Sequence, residues 1–314
     1  MRAAVYDDSG QIRVEEVATP EPGPGEVRVR LAVSGVNPTD WKARGGGVAF
    51  PFQIPNQDGA GVVDKVGEGV DEGRVGERVW VYFAAWQRQW GTAAEYTVLP
   101  AEQAVALGDA AFELGASLGI PALTAHRCLF ADGAVSGATV LVAGGAGAVG
   151  HAAIELARWG GATVIATVSD EEKAQLSRTA GAHHVVNYRE ADAQERIRAL
   201  APDGVDRVVE VAPVANLALD LAVGARHIAG YAGTPDDVLE APVRQLMGAN
   251  VVLRFVLVYT MPRFALRRAV ADVAEAVREG ALTTLPLHRF PLDQAAQAHD
   301  AVEGGAVGKV LIDT

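Results

Sequence analysis

The chain has 314 residues, 49% of them hydrophobic, and a formal net charge of -12. That length divides most economically into two domains, no apolar run approaches the roughly 18 residues of a membrane span, and the acidic balance argues against general nucleic-acid binding. A single cysteine, Cys128, excludes an internal disulfide and any multi-cysteine zinc site, and it reads as a small buried hydrophobe rather than a nucleophile.

The opening MRAAVYDDSG turns acidic before any apolar stretch forms, so no signal peptide is expected and the protein is expected in the cytoplasm. Ala3 to Tyr6 and Ile12 to Val17 read as a hairpin, and TPEPGPGE (Thr19 to Glu26) is a hard break. Glu26 to Val33 alternates polar and apolar residues, the pattern of a half-buried antiparallel strand. Further short strands are expected at Ala60 to Val66, Arg78 to Val81 and Ala94 to Leu99, separated by a glycine-rich and acidic turn region from Gly67 to Gly76. Short strands with little helix predict a β-barrel or sandwich for the first hundred or so residues. Helical spacing begins at Ala111 to Gly119 and Pro121 to Phe130.

Thr139 to Gly150 (TVLVAGGAGAVG) follows as strand, tight turn and helix, and Gly145, Gly147 and Gly150 fit G-x-G-x-x-G. The first glycine is expected to allow the turn, the second to admit a pyrophosphate to the backbone, and the third to let helix pack on strand. A helix from about Gly147 to Trp159 would aim its free N–H groups and positive dipole end at phosphates. Such a glycine string also serves ordinary strand-to-helix joints, but the strand at Ala162 to Val168 completes a β-α-β unit, and this context favours dinucleotide binding. Beyond it, a helix at Asp170 to Ala180 has Ser169 or Asp170 as N-cap and Gly181 as its stop. Strands at His184 to Asn187, Asp206 to Val211, His227 to Tyr231 and Val251 to Val258 alternate with helices at Ala191 to Leu200 and Leu217 to Leu221, which predicts a doubly wound parallel sheet. A helix at Ala265 to Glu279, a strand at Leu287 to Pro291, a helix at Leu292 to Glu303 and a strand at Gly308 to Ile312 close the chain.

Four stretches, Gly35 to Gly46 (GVNPTDWKARGG), Asp58 to Val70 (DGAGVVDKVGEGV), Gly76 to Pro100 (GERVWVY and GTAAEYTVLP) and Val140 to Gly150, resemble the medium-chain dehydrogenase/reductase superfamily, and in detail its zinc-free branch, the zeta-crystallin-like NADPH:quinone oxidoreductases. The resemblance implies an α/β protein with a GroES-like β-barrel catalytic domain (residues 1–121 and 262–314) and a Rossmann NADP-binding domain (122–261). Zinc-dependent relatives carry cysteine where Asn37 stands and histidine where Gln57 stands, and amides are poor zinc ligands. The seven histidines are scattered without ligand spacing and read as surface or helix-end residues.

The resemblance implies that Asn37 sits near the nicotinamide and substrate, with Asp40 supporting its loop. Read from the residues alone, Asn37-Pro38 is also a good turn, and Asp40 a cap for a short helix at Trp41 to Arg44. Tyr82 is a catalytic candidate within the aromatic loop Tyr82, Trp86 and Trp90, which could line a pocket or simply fill core. Cofactor contacts are expected from Gly144, Gly145, Ala146, Gly147, Ala148 and Val149 in the turn, and from Asn37, Thr124 and Lys309. At the end of the second Rossmann strand, Val168 occupies the place where an NAD enzyme carries an acid, although Asp170 lies only two residues on. NADPH members of the family place residues like Ser169, Lys173 and Tyr188 around the 2′-phosphate, while Lys173 could equally be a solvated helix charge. The expected reaction is hydride transfer from NADPH to a quinone or other conjugated enone. Alternatives are alkenal or enoyl-thioester reduction, or NADPH binding with little turnover. The apolar strand Val251 to Val258 at the sheet edge leads to the expectation of a homodimer.

Overall fold

The computed structural model describes residues 1–314, which divide into two compact units, Met1–Ile120 with Thr284–Thr314, and Pro121–Thr283. In the first unit, β1 (Arg2–Val5) and β2 (Arg13–Glu16) form the expected hairpin. Strand β3 (Glu26–Val36) is followed by helix α1 (Pro38–Ala43), β4 (Asp58–Val66), β5 (Arg78–Val81), β6 (Tyr96–Pro100), β7 (Ala104–Ala106) and helix α2 (Phe112–Gly115). The 11 residues of β3 serve three partners: β4 along one edge, and β6 and the carboxy-terminal β15 (Lys309–Asp313) along the other. Its alternation turns Val27, Val29 and Leu31 inward, where they join Val63, Val79, Val81 and Leu99. Burying each such side chain contributes about 1.5–3 kcal/mol. Strand β14 (Leu287–Pro291) and helix α10 (Ala295–Glu303) complete this unit, β14 lying parallel to β15.

Helix α3 (Gly119–Phe130) carries the chain into the second unit. There β8 (Thr139–Ala143), α4 (Ala148–Trp159), β9 (Thr163–Val168), α5 (Glu171–Thr179), β10 (His184–Asn187), α6 (Ala193–Leu200), β11 (Arg207–Glu210), α7 (Pro213–Ala222) and β12 (His227–Gly230) alternate as expected. Helix α8 (Val243–Ala249), which the sequence pattern did not announce, precedes β13 (Val252–Phe255). All six strands are parallel in the order β10-β9-β8-β11-β12-β13, so the strand order reverses between β8 and β11, where open α/β sheets bind ligands at their carboxyl ends. The expected return to the first domain at residue 262 falls instead at Thr284. Helix α9 (Arg263–Arg278) belongs to the second unit because Asp272 bonds His126 of α3 at 2.7 Å, and Thr283 bonds Glu155 of α4.

One buried acid in this unit gives a stability prediction. Asp220 on α7 is 1% exposed, neither carboxylate oxygen has a hydrogen-bond partner, and burial, with Glu210 adding repulsion, pushes its carboxyl up to about 8. This lies above the ~3.9 of an unfolded aspartate, so the group's contribution to stability is complete below about pH 4 and is lost as pH rises through about 8. Thermal melts between pH 6 and pH 9 should therefore fall more steeply in the wild type than in Asp220→Asn. Parallel slopes would show that the carboxyl already ionises freely.

Candidate active site

A buried polar knot forms at the start of α1. Asn37 is the N-cap, with extended backbone, and Pro38 at the first helical position has no N–H to leave unpaired. Asp40, three residues on, reaches back to accept the Asn37 N–H at 2.7 Å and takes the Gln57 N–H at 3.2 Å on its other oxygen. It is thus the reciprocal partner of the cap and not the cap itself. The Asn37 amide is spent inward: Nδ2 donates to Asp58 Oδ2 at 2.7 Å, and Oδ1 accepts from Lys309 Nζ at 2.8 Å. Lys309 also donates to the Val36 carbonyl at 3.2 Å. Both Asp58 oxygens receive the Ile120 N–H at 2.9 Å, in the first turn of α3. Gly119 makes that approach possible, since a Cβ there would lie 2.0 Å from Asp58 Oδ1.

Asn37, Asp40, Asp58 and Lys309 are each 2% exposed or less, so two carboxylates share one ammonium away from water. Burial raises Asp58 to about 6 against the pull of Lys309, and burial with repulsion from Asp58 raises Asp40 further. Burial lowers Lys309, while both carboxylates favour its charge. Burial thus opposes every charge in the knot, and the attraction between Lys309 and the two acids offsets it. Lys309, expected among the cofactor contacts, is the counter-charge of this knot. Asp58, an acid opening a strand of glycine and valine, belongs to the site although the motif that contains it points only to the family. A second chain of hydrogen bonds runs from the Asp58 carbonyl through Thr92, Ser34 and Asn56 to His299.

The aromatic loop does not form one wall. Tyr82 is 4% exposed, its hydroxyl donates to the Glu102 carbonyl at 3.3 Å, and burial pushes it up to about 12. Trp90 meets Phe52 edge-on in the cluster around β1, and Trp86 is exposed.

In the second unit two adjacent glycines divide the work of the turn. The left-handed residue is Gly144, at φ +71, and not Gly145, whose missing side chain instead lets the turn lie against Ala166. Gly147 is exposed and unobstructed, and Gly150 packs onto the turn itself. The first α4 bond runs from His151 N–H to the Gly147 carbonyl, so the amides of Ala148, Val149 and Gly150 are not spent within the helix. An open glycine backed by three unspent amides fits a diphosphate. Ala146 and Thr124 are buried. At the end of β9, Val168 is buried and Asp170 caps α5, accepting the Lys173 N–H at 3.0 Å. That bond, with those from Ser169 and Lys173, holds the Asp170 carboxyl down at about 2. Lys173 Nζ donates to Ser169 Oγ at 2.8 Å and lies 3.3 Å from Asp170, so it is not a free solvated charge. Tyr188, half exposed, donates its N–H to the Val168 carbonyl at 3.0 Å and so stands beside this group.

Three histidines read as surface residues are interior: His126 bonds Asp272, His151 faces Thr283 and Glu155, and His299 bonds Asn56. No group of three or more His, Cys, Asp or Glu side chains is disposed to hold a metal ion. Cys128 is buried and its thiol pushed up to about 12, as befits a hydrophobe.

A family model described as alcohol dehydrogenase GroES-like domain matches residues 23–109, and one described as zinc-binding dehydrogenase matches residues 148–275. The two units and the turn thus define a medium-chain dehydrogenase/reductase. Quinone oxidoreductase of Rattus norvegicus is 30% identical over 311 residues, covering 95% of this chain and 92% of the relative. The chain belongs to the quinone oxidoreductase family of that superfamily. Among solved structures, a mycobacterial protein complexed with NADPH matches with TM-score 0.84 and 29% identity, and an NAD-dependent alcohol dehydrogenase with TM-score 0.87 and 28% identity, each over the full length of both chains.

Proposed function

We propose that this protein is a zinc-independent, NADPH-dependent reductase of quinones and other conjugated enones. The observation that carries the reading is the match to a quinone oxidoreductase over nearly the whole of both chains. When bound, the cofactor supplies the hydride. Gly147 and the amides of Ala148 to Gly150 cradle the diphosphate, and Ser169, Lys173 and Tyr188 receive the 2′-phosphate. Asn37, its amide fixed by Asp58 and Lys309, keeps one N–H for the nicotinamide or the substrate carbonyl. A conjugated acceptor spreads the incoming charge onto an oxygen that one such donor can stabilise. An alcohol, by contrast, must lose a hydroxyl proton as hydride leaves, which needs a metal or a positioned base. The assay sets quinones and enones beside primary and secondary alcohols, with zinc measured by elemental analysis. Robust alcohol oxidation with no quinone or enone reduction, or activity that disappears with a stoichiometric zinc, would overturn the reading.

Asp170 favours a second reading, an NAD-linked enzyme, since an acid near that strand end can bond ribose hydroxyls. Its carboxylate is instead engaged by its own helix, Ser169 and Lys173, which supports NADPH. Expected is a tenfold to hundredfold preference for NADPH over NADH, roughly 1–3 kcal/mol for a charge-assisted contact, which Lys173→Ala erodes. Equal Kd values for the two cofactors in the wild type would make Asp170 the ribose ligand. Strand β13 closes the sheet with Val252, Phe255 and nearby Leu257 exposed, an edge suited to pairing with a second copy in a homodimer. No helix is long and apolar enough to cross a membrane, and a cytoplasmic location is part of the same proposal.

A further inference from the structure

The amino-terminal half of the parallel sheet, far along the strands from the glycine-rich turn, carries a cluster of positive charge. Arg207 opens β11 beside His227, which opens β12 beside Val252 of β13. Residues in register on parallel strands face the same way, and the two-residue period turns Arg254 to that face as well. All three converge on Asp132, just beyond α3: Arg254 Nη2 at 2.6 Å, His227 Nδ1 at 3.3 Å and Arg207 Nη1 at 3.8 Å. Arg127 adds a third guanidinium, and burial together with Arg254 holds it below the ordinary value. Arg226 stands alongside with its side chain 58% exposed, 3.3 Å from Asp206, whose other oxygen accepts the Thr139 N–H.

Four arginines and a histidine thus face two carboxylates, in a chain whose net charge is -12. One aspartate does not satisfy them. Arg254 Nε is buried without a partner, and Arg207, 8% exposed, reaches the Asp132 carbonyl at 2.9 Å but lies beyond hydrogen-bond range of its carboxylate. Beside them opens a cavity of about 370 Å³ lined by Ser136, Gly137, Asp206, Arg207, Arg226 and His227.

We propose that this cavity binds a small phosphate-bearing anion, a diphosphate or phosphomonoester, at a site separate from the dinucleotide turn. Guanidinium forks take phosphate oxygens two at a time, and a dianion supplies the counter-charge the cluster lacks. The test is calorimetric titration of the full chain with inorganic pyrophosphate in saturating NADP⁺, which occupies the glycine-rich turn. Expected is saturable binding that weakens tenfold or more in Arg226→Gln and in Arg207→Gln and is unchanged in Lys173→Ala. Arg226 is largely exposed, so its variant keeps the wild-type melting temperature and remains decisive should the Arg207 variant fold poorly. Parallel titrations with inorganic phosphate and adenosine 5′-monophosphate assign the source: tighter binding of the nucleotide marks an organic phosphate, the reverse order a free one. Absence of binding by all three probes to about 10 mM, or binding that Arg226→Gln leaves intact, would overturn the proposal.

Discussion

Lys309→Met should lower the melting temperature by on the order of 10 °C, because a buried ion pair that loses one partner costs about 3–5 kcal/mol and each kcal/mol is worth a few degrees in a chain of this size. Lys309 is 2% exposed, its ammonium holds the Asn37 amide and the Val36 carbonyl, and its charge favours the ionised form of Asp58. Without it Asp58 must either take up a proton or sit as an unpaired anion beside Asp40, and at neutral pH either outcome costs stability. Two controls separate charge from packing. Adding Asp58→Asn to Lys309→Met should recover most of the loss, since the remaining groups are then neutral. Lowering the pH below about 6 should narrow the deficit, because Asp58 there takes up a proton and burial favours the protonated form in the folded chain. A variant that melts with the wild type at pH 8 would show that the pair contributes nothing.

Gly150→Val should abolish dinucleotide binding, a loss of at least about a hundredfold, while Gly147→Ala should fold normally and bind less tightly. The two glycines sit three residues apart in one turn yet meet different constraints. A Cβ on Gly150 would lie 2.2 Å from the Gly144 carbonyl oxygen and 3.0 Å from the Gly145 Cα, both backbone atoms that cannot step aside without opening the turn. A Cβ on Gly147 would meet nothing closer than that same oxygen at 3.4 Å, and it would project from an exposed position where a diphosphate approaches. Thermal melts and fluorescence titration with NADPH distinguish the two. Normal affinity in Gly150→Val would mean that the cofactor is held elsewhere.

The glycine-rich turn was legible in the sequence because its requirements are local: a left-handed residue, a missing Cβ and a helix start lie within a dozen residues. Which glycine of the string is left-handed was not legible, since Gly144 and Gly145 are adjacent and only the backbone path separates them. The alternation of β3 was equally readable, each inward valine declaring itself two residues after the last. The knot around Asn37 was not readable in the same way. Asp58 lies 21 residues from Asn37 and Lys309 lies 272 away, and no periodicity ties residues that meet only when β3 pairs with β4 on one edge and β15 on the other. The interior histidines escaped for a related reason. His126 and His151 lie on helices whose buried faces are set by which neighbours close over them, and His299 owes its burial to Asn56, 243 residues earlier. Helix α8 went unseen because most of its residues are exposed, leaving no apolar stripe to betray it.

The placement of β15 bears on how the protein is made. The first unit is assembled from two separated stretches, and the strand that fills the free half of the β3 edge emerges from the ribosome only after the whole of the second unit. Lys309 travels on that strand, so the nascent first unit encloses Asp40 and Asp58 without the cation that favours their ionised forms. The second unit, continuous in sequence and joined to the growing chain by Thr283, has all its strands available while the first still waits. A chain freed of residues 309 to 314 should therefore keep a protease-resistant second unit joined to a protease-sensitive first one.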